Sequence, residues 1–227
     1  FLPRDDVQIV AVCDVDRQRR LEAKKLAEDT YANKTGFGSY SGCDDYDDFR
    51  NIIDRDDIDL VVIATPDHWH AIPAIMAADA GKDIYCEKPV ALTIRQQQAM
   101  VRAVQRNNIV WQTGSQQRSD QNFRFACELV RNGRIGQLKE VFVGLPTGDP
   151  LTEATPEMPI PEGFDYDMWL GPAPRAPYTK LRCHWNFRWI LDYSGGQLSD
   201  WAGHHCDIAQ WGMNTELTGP TEIEGTG

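Results

Sequence analysis

The sequence contains no apolar run of the about 18 residues that a membrane-spanning helix needs. Basic residues are also scarce: 23 lysines and arginines stand against 34 aspartates and glutamates, and the formal net charge is −11. An acidic surface repels phosphate backbones and anionic lipids on average. The composition therefore argues against nucleic acid and membrane surfaces as partners.

Closely spaced cysteine pairs are missing as well. The six cysteines lie at positions 13, 43, 86, 127, 183 and 206 and form no C-x-x-C pair, which argues against a zinc ribbon. Cys13 and Cys86 fall in apolar, strand-like runs, where buried free thiols are common. The count alone does not establish disulfides, so the redox compartment stays open.

A glycine-rich dinucleotide-binding loop is the third absence. The stretch from Gly36 to Gly42 has the wrong glycine spacing and follows no strand, so we interpret it as an ordinary loop. The chain starts at Phe1 with neither an initiator methionine nor a signal peptide, and it ends in strand-like sequence. We expect a fragment cut at both ends, with the first strand and its glycine-rich loop before residue 1.

The first half of the chain alternates between strand-like and helix-like segments. Short β-branched runs predict strands, and the segments between them have helical composition. This alternation predicts β-α-β units with a parallel sheet, hence an α/β fold. Strands are predicted over 8–13, 59–65, 83–87 and 109–113, helices over 17–28, 46–53, 70–80 and 93–106, and a loop over 33–45.

The pattern changes near residue 120, where we place a domain boundary between 1–120 and 121–227. The second half is interrupted by proline-rich stretches over 146–161 and 169–177. It is predicted to contain helices over 119–132 and 198–211 and an alternating strand over 137–143.

Parallel sheets bind their ligands at the C-terminal ends of the strands. That rule selects Asp14, Thr65 with Pro66, Glu87 with Lys88, and the segment from Gly114 to Gln116. Asp14 is suited to accept hydrogen bonds from the ribose of a dinucleotide, and a carboxylate there favours NAD over NADP. Arg17, Arg19 and Arg20 follow closely and weaken that preference, so NADP is not excluded.

Two further motifs lie at these strand ends. The sequence Thr65-Pro-Asp-His-Trp-His70 opens a helix whose N-terminus suits a phosphate or ribose, although both histidines also fit ordinary loop or cap positions. In Glu87-Lys88-Pro89 the lysine can donate to a hydroxyl or carbonyl oxygen and stabilise alkoxide character as hydride departs. A plain surface turn is the alternative for this motif.

The densest polar group follows Gly195. On one helix, Asp200 and His204 are neighbours four positions apart, and Asp207 lies three positions beyond His204. A carboxylate beside an imidazole orients it as a general base. A metal site and a structural salt bridge are the alternatives. Tryptophans at 169, 185, 189, 201 and 211 could line a sugar site, but tryptophan is more often a core residue.

Together these motifs resemble the Gfo/Idh/MocA family of oxidoreductases. Cys13-Asp14-Val15-Asp16 is similar to the end of the family's second strand, Cys86-Glu87-Lys88-Pro89 to its E-K-P motif, and Asp200, Gly203, His204 and Asp207 to its D-x-x-x-H-x-x-D helix. Thr65-Pro66 with His70 resembles its T-P-x-x-x-H turn. Residues 165–174 resemble a subgroup that is often exported from bacterial cells, so the localisation stays open.

The resemblance implies a Rossmann domain, here an incomplete doubly wound parallel sheet, followed by a partial α+β domain with a mostly antiparallel sheet. It implies homo-oligomers for the full-length protein. It assigns no metal. The implied residues are Lys88, His204 and Asp200 for catalysis; Asp14, Thr65, Pro66, His70, Glu87, Lys88 and Gln116 for NAD; and Trp169, Arg188, His205 and Asp207 for substrate.

The activity implied by the resemblance is hydride transfer between a secondary alcohol of a sugar or cyclitol and a nicotinamide cofactor. Because His204 and His205 are adjacent, the base assignment could fall on either. A redox-neutral NAD-dependent glycosidase would use the same residues. A non-catalytic cofactor or sugar sensor and a metal-dependent hydrolase are further alternatives, and the trio of Lys88, Asp200 and His204 argues against the sensor.

Overall fold

The computed structural model describes residues 1–36, 38–148 and 155–226, and contains five strands and eight helices there. Three short 3-10 turns occur at Asp67–Trp69, Gln116–Ser119 and Asn186–Trp189. In chain order the elements are β1 (Ala11–Cys13), α1 (Arg17–Thr35), β2 (Asp44–Tyr46), α2 (Arg50–Ile53), β3 (Leu60–Ile63), α3 (Ala71–Asp79), β4 (Asp83–Glu87), α4 (Ile94–Asn107), β5 (Trp111–Gly114), α5 (Gln121–Arg131), α6 (Tyr166–Leu170), α7 (Gly196–Asp200) and α8 (Ala202–Gly212).

All five strands are parallel, as the alternation of strands and helices predicts. They form two separate sheets, β1–β2 and β3–β4–β5. The predicted strand over 83–87 coincides with β4. Strand β2 was missed, because its sequence Asp44-Asp-Tyr46 has none of the apolar character that predicts strands and it lies in a stretch interpreted as loop. Parallel pairing with β1 makes this segment a strand, and the composition of the segment does not indicate that pairing.

Helix ends follow local capping chemistry. Asp16 accepts hydrogen bonds from the backbone N–H groups of Gln18 and Arg19 at the start of α1, which runs past the predicted end at 28 to Thr35. Thr93, the first residue of the helix predicted over 93–106, is the cap of α4 and forms a reciprocal capping box with Gln96. Side-chain caps therefore fix where both long helices begin.

The core of the first half is aliphatic and lies around β3, β4, α3 and α4. Helix α3 packs through Ala71, Ala74, Ala77 and Ala78, each at most 3% exposed. Ile75 also packs against this core, whereas Met76 is 36% exposed. Alanines allow α3 to approach β4 and α4 more closely than branched side chains would.

The second half has a different core, made of aromatic side chains. The predicted strand over 137–143 is wrong: these residues have no regular structure and are exposed. No strand occurs in the described residues beyond 121, so the expected antiparallel sheet is not seen there. The reason is that an extended segment forms a strand only when a neighbouring segment supplies hydrogen-bonding partners. The aromatic core consists of Phe164, Tyr166, Trp169, Leu170, Tyr178, Cys183, Phe187 and Tyr193.

All six cysteines are free thiols. Burial raises the pKa of Cys13, Cys86 and Cys183 to about 12, so these side chains act as small apolar core groups. No helix in the described part of the chain is long and apolar enough to cross a membrane.

Candidate active site

The C-terminal edge of the β3–β4–β5 sheet meets the second half of the chain at Lys88. Lys88 directly follows β4, and its Nζ atom donates to Oδ1 of Asp200 at 2.5 Å and to the backbone oxygen of Asp200 at 2.8 Å. Both side chains are largely buried, at 17% and 16% exposure. The two residues are 112 positions apart in sequence, so this contact depends on the packing of the two halves.

Asp200 holds a second cation on its other side. The Nε atom of Arg188 lies 3.5 Å from Oδ2 of Asp200. Arg188 itself stacks over the ring of Trp185, with 4.4 Å between the guanidinium carbon and the ring centroid. Asp200 is thus a carboxylate bridging two basic side chains, and the structure brings Arg188, predicted to contact substrate, into the same group as Lys88.

His204 lies one helical turn beyond Asp200. The predicted single helix over 198–211 is interrupted at Trp201, where α7 ends and α8 begins, but the backbone N–H of His204 donates to the Trp201 carbonyl. The Nδ1 atom of His204 is buried and has no hydrogen-bond partner among the described residues. Burial and the charge of Lys88 lower the pKa of His204, and Asp200 opposes this. The imidazole is therefore held neutral and available to accept a proton.

His205 has different surroundings. Its ring packs against Trp201 with 5.6 Å between ring centroids, and neither ring nitrogen has a hydrogen-bond partner among the described residues. The Nδ1 atom of His204, in contrast, is buried, and burial and the charge of Lys88 lower the pKa of that ring. This geometry favours His204 as the base.

Asp207 does not join this group. Both carboxylate oxygens of Asp207 accept hydrogen bonds from Arg118, at 2.6 and 2.8 Å, and Arg118 also binds Glu216. A bidentate pair satisfies the carboxylate. The expected substrate contact from Asp207 is corrected to an ion pair that connects α8 to the turn before α5.

Asp14 lies at the end of β1, where a ribose was expected. Its Oδ1 atom accepts from the backbone N–H of Asp16 at 2.8 Å. Burial raises the pKa of Asp14, while Arg19 and His184 favour its charged form. His184 belongs to the second half of the chain, and sequence reasoning missed its effect on Asp14 because no local pattern indicates that the two residues lie near each other.

The other strand-end residues have mixed surroundings. Glu87 is half-buried against Gly114, where a Cβ atom would lie 2.7 Å from the Glu87 carboxyl carbon. A side chain at the end of β5 would therefore require the Glu87 carboxylate to move. Thr65 and Gln116 are exposed and Pro66 is half-buried, so all three have open surface at the C-terminal edge of the sheet.

The sequence predicts that His70 lines the cofactor, but the structure buries its ring between two backbone carbonyl groups. The ring is 1% exposed, and both of its nitrogens lie 2.7 Å from backbone oxygens, Nε2 from that of Thr65 and Nδ1 from that of Pro89. With both nitrogens occupied, the ring connects two strand ends and has no free donor or acceptor for a ligand.

The turn Asp67–Trp69 docks the second half onto the first. Nε2 of His68 and Nε1 of Trp69 both lie 2.9 Å from the backbone oxygen of Trp169. The backbone N–H of His68 also donates to the Tyr193 carbonyl at 3.2 Å. These contacts hold the segment that leads into α7, so they help to set where Asp200 lies.

Trp169 is a core residue in this arrangement. It is 5% exposed, stacks on Tyr166 at 5.9 Å and meets Tyr193 edge-on at 4.9 Å. The expected contact between the Trp169 ring and substrate is corrected accordingly, because its faces are covered by other rings.

The described residues contain no cluster of three or more histidine, cysteine, aspartate or glutamate side chains arranged to hold a metal ion. They do fit parts of a nicotinamide dinucleotide. Asp14 lies at one strand end and Glu87 and Lys88 at another, and the buried Nδ1 atom of His204 has no hydrogen-bond partner among the described residues. These groups suit the ribose and nicotinamide portions.

Two family models match the chain. One, described as an oxidoreductase family with an NAD-binding Rossmann fold, matches residues 2–115. The other, described as the C-terminal alpha/beta domain of the oxidoreductase family, matches residues 141–226. Lys88 lies in the first match, and Asp200 and His204 lie in the second.

Curated relatives share shorter stretches. The 2,7-anhydro-N-acetylneuraminate hydratase of Mediterraneibacter gnavus is 33% identical over 96 residues, which are 42% of this chain and 26% of the relative. The levoglucosan dehydrogenase of Pseudarthrobacter phenanthrenivorans is 45% identical over 91 residues, 40% of this chain and 23% of the relative. The match spans about a quarter of either relative's length.

A solved structure extends the similarity to both halves. Levoglucosan dehydrogenase in complex with NADH and L-sorbose matches with a TM-score of 0.56 at 27% identity, over 88% of this chain and 43% of that chain. The fold described above is therefore shared across the Lys88 side and the Asp200 side of the site.

Proposed function

We propose, from the premise that this chain belongs to the Gfo/Idh/MocA oxidoreductase family, that the whole protein transfers a hydride between a secondary alcohol of a sugar or cyclitol and a nicotinamide cofactor. The observation that supports this most directly is the convergence of Lys88, Asp200 and His204, with 2.5 Å between Lys88 Nζ and Asp200 Oδ1. The ammonium group of Lys88 lies at the C-terminal edge of the sheet. Burial and the charge of that ammonium group lower the pKa of the His204 imidazole.

Asp14, Thr65, Pro66, Glu87 and Gln116 are the residues that would hold the cofactor. The carboxylate of Asp14 favours the unphosphorylated ribose of NAD, since a 2′-phosphate would be repelled. When bound, NAD supplies the carbon that accepts the hydride. The exposed surfaces of Thr65 and Gln116 leave room beside it.

Lys88 would donate to the reacting oxygen of the substrate. An ammonium group has three N–H donors, and two of them are used by the carboxylate and carbonyl of Asp200. The third is free for a hydroxyl or carbonyl oxygen, whose developing negative charge it stabilises. Asp200 orients Lys88, and Arg188 keeps Asp200 in place from the other side.

His204 would take the proton of the substrate hydroxyl. Its lowered pKa keeps the imidazole neutral at physiological pH, which is the form that accepts a proton. Proton removal by His204 accompanies hydride departure, and return of that proton serves the reverse reaction. His205, packed on Trp201, and the exposed edge of Trp201 would line the entrance.

The test is kinetic. In the whole protein, Lys88→Met and His204→Asn are each expected to reduce kcat by about 10²–10⁴-fold with an oxidisable sugar or cyclitol, measured as NADH formation. Lys180→Met is the matched control, because Lys180 is exposed and forms no described contact with the site. Full activity of Lys88→Met would rule the proposal out.

A second candidate is a redox-neutral reaction on the same residues, in which the sugar is oxidised transiently and then reduced again. The similarity of this chain to a 2,7-anhydro-N-acetylneuraminate hydratase supports this second candidate. Cleavage or hydration of a glycoside or anhydro-sugar without net NADH, lost in Lys88→Met, would identify this reaction. Stoichiometric NADH formation would identify the dehydrogenase.

A further inference from the structure

The buried ring of His70 faces two acceptors and no donor. Its Nε2 atom lies 2.7 Å from the carbonyl oxygen of Thr65, at the end of β3, and its Nδ1 atom lies 2.7 Å from that of Pro89, just after β4. The ring is 1% exposed, so water does not complete either bond. Each of these contacts needs an N–H on the ring side.

A neutral imidazole has only one N–H. In that form one ring nitrogen would point a lone pair at a carbonyl oxygen, which leaves both groups buried and unsatisfied. Rotating the ring by half a turn does not help, because carbon atoms would then face the carbonyls. Only the doubly protonated imidazolium donates to both Thr65 and Pro89.

The surrounding charges suit a buried cation. Asp67 is 6% exposed, and its Oδ2 atom has no hydrogen-bond partner among the described residues. Burial raises the pKa of Asp67, while the positive charge of Lys88 opposes that rise and the negative charge of Asp200 adds to it. The charged and titratable groups facing this cluster are therefore the carboxyls of Asp67 and Asp200, the ammonium of Lys88 and the ring of His68.

We propose that His70 is an imidazolium that donates from both ring nitrogens and so positions Lys88, by holding the carbonyl oxygen of the adjacent Pro89 against the end of β3. The functional part of this inference rests on the proposed role of Lys88, whose backbone directly precedes Pro89. Loss of the His70 cation frees one of the two carbonyls and loosens the strand end from which Lys88 reaches Asp200.

His68 provides an internal contrast two positions away. It is also buried, at 2% exposure, but only Nε2 has an acceptor, the carbonyl of Trp169, and Nδ1 has no partner in the described part of the chain. Burial lowers the pKa of His68. One acceptor requires one N–H, so His68 is the neutral member of the pair and His70 the charged one.

The decisive measurement is ¹⁵N NMR of the whole protein labelled at histidine, near neutral pH. Both ring nitrogens of His70 are expected to appear as protonated N–H, and only one ring nitrogen of His68. The variants His70→Gln and His68→Gln assign the signals by their disappearance. A His70 spectrum with one bare ring nitrogen would overturn the inference even where the variants fail to fold.

Kinetics test the positioning role. His70→Gln is expected to reduce kcat by up to about 10²-fold, because a displacement of Lys88 of about 1 Å has that effect, while NADH binding per folded molecule stays near that of the wild type. An unchanged kcat in folded His70→Gln would contradict the positioning. An active Lys88→Met would instead defeat the proposed function and leave the NMR result for His70 standing.

Discussion

Residues 1–115 and residues 155–212 build their cores from different side chains. The first core is aliphatic and surrounds parallel strands whose backbones pair with each other. The second is aromatic, with short helices and no paired strand among the described residues. Backbone ladders locate β4 and Lys88, whereas ring contacts and hydrogen bonds to single carbonyls locate α7 and Asp200.

This difference predicts that the two sides of the site respond differently to substitutions in their cores. A sheet with a backbone ladder retains its register when one core side chain is shortened. An aromatic cluster lacks that support, so a lost ring should displace the chain that follows it. The proposed site needs Lys88 and Asp200 within hydrogen-bond distance of each other, so we expect damage to the second half to have the larger effect on it.

The largest effect is expected from Trp169→Ala. Removing this buried ring should cost about 3–5 kcal/mol of unfolding free energy, measured by urea denaturation of the whole protein. It should also lower kcat of the folded fraction, because the ring packs against the segment that leads into α7.

Ile84→Ala, in the aliphatic core, is the matched variant. It should cost about 2–5 kcal/mol but leave kcat of the folded fraction unchanged, since Ile84 lies inside β4 and its neighbours pair through the backbone. Equal losses of kcat in the two variants would remove the distinction between the two cores.

Gly171→Ala should produce the next largest effect. Gly171 has φ = 49°, and a Cβ atom there would lie 2.0 Å from the Trp69 ring. Backbone strain alone should lower the unfolding free energy by about 1–3 kcal/mol. Displacement of the Trp69 ring should lower it further and should also reduce kcat, because Trp69 docks the second half onto the first.

Gly133→Ala separates the two causes. Gly133 has φ = 70°, but its Cβ atom would meet nothing within 4 Å. It should show the strain alone, with unchanged kinetics. If Gly171→Ala behaves like Gly133→Ala in both stability and kcat, the docking role of Trp69 is wrong.

A smaller effect confined to the first half is expected from Thr93→Ala. Loss of the capping box at the start of α4 should cost about 1 kcal/mol in thermal or urea unfolding, with kcat and KM unchanged. Thr93→Ser, which retains the hydroxyl, should restore most of the stability. A change in KM for the sugar would mean that α4 is coupled to the site.

The mildest effect concerns pH. The pKa values of His68 and His204 are lowered from the ordinary value of 6.5. Below pH 6.5 these histidines therefore bind protons in the unfolded chain that they do not bind in the folded chain. Their contribution to the unfolding free energy is complete above pH 6.5 and decreases as the pH falls below that value. Burial of Asp14 and Asp67 acts in the opposite direction.

The comparison of wild type with His68→Gln over a pH series of urea unfolding isolates the part due to His68. The decline below pH 6.5 should become shallower in the variant. An identical decline in both proteins would show that His68 does not contribute to it.

Much of the first half could be predicted from sequence, because its information is local. The strand predicted over 83–87 coincides with β4, and the helix predicted over 93–106 coincides closely with α4 and its cap Thr93. Strand β2 could not be predicted in the same way, since only pairing with β1 makes Asp44-Asp-Tyr46 a strand. The predicted boundary near residue 120 stays a prediction.

The residue types at the site could also be predicted, but their partners could not. The four-residue spacing of Asp200 and His204 was visible in sequence, and their assigned roles stay predictions. Nothing in the local pattern assigned Asp207 to Arg118, His70 to two carbonyls or Trp169 to a core of rings. Each of these contacts joins residues whose meeting depends on the packing of distant segments.

The sequence by itself determined the periodicity of the first half, the caps of its helices, the strand ends at which polar groups occur and the motifs that indicate the family. These depend on neighbours within a few positions, where backbone geometry fixes the spacing. Tertiary structure alone decided that Lys88 meets Asp200 across 112 positions and that one buried histidine faces two carbonyls and another only one. Such contacts form only when the burial of distant side chains outweighs the entropy of ordering the chain between them.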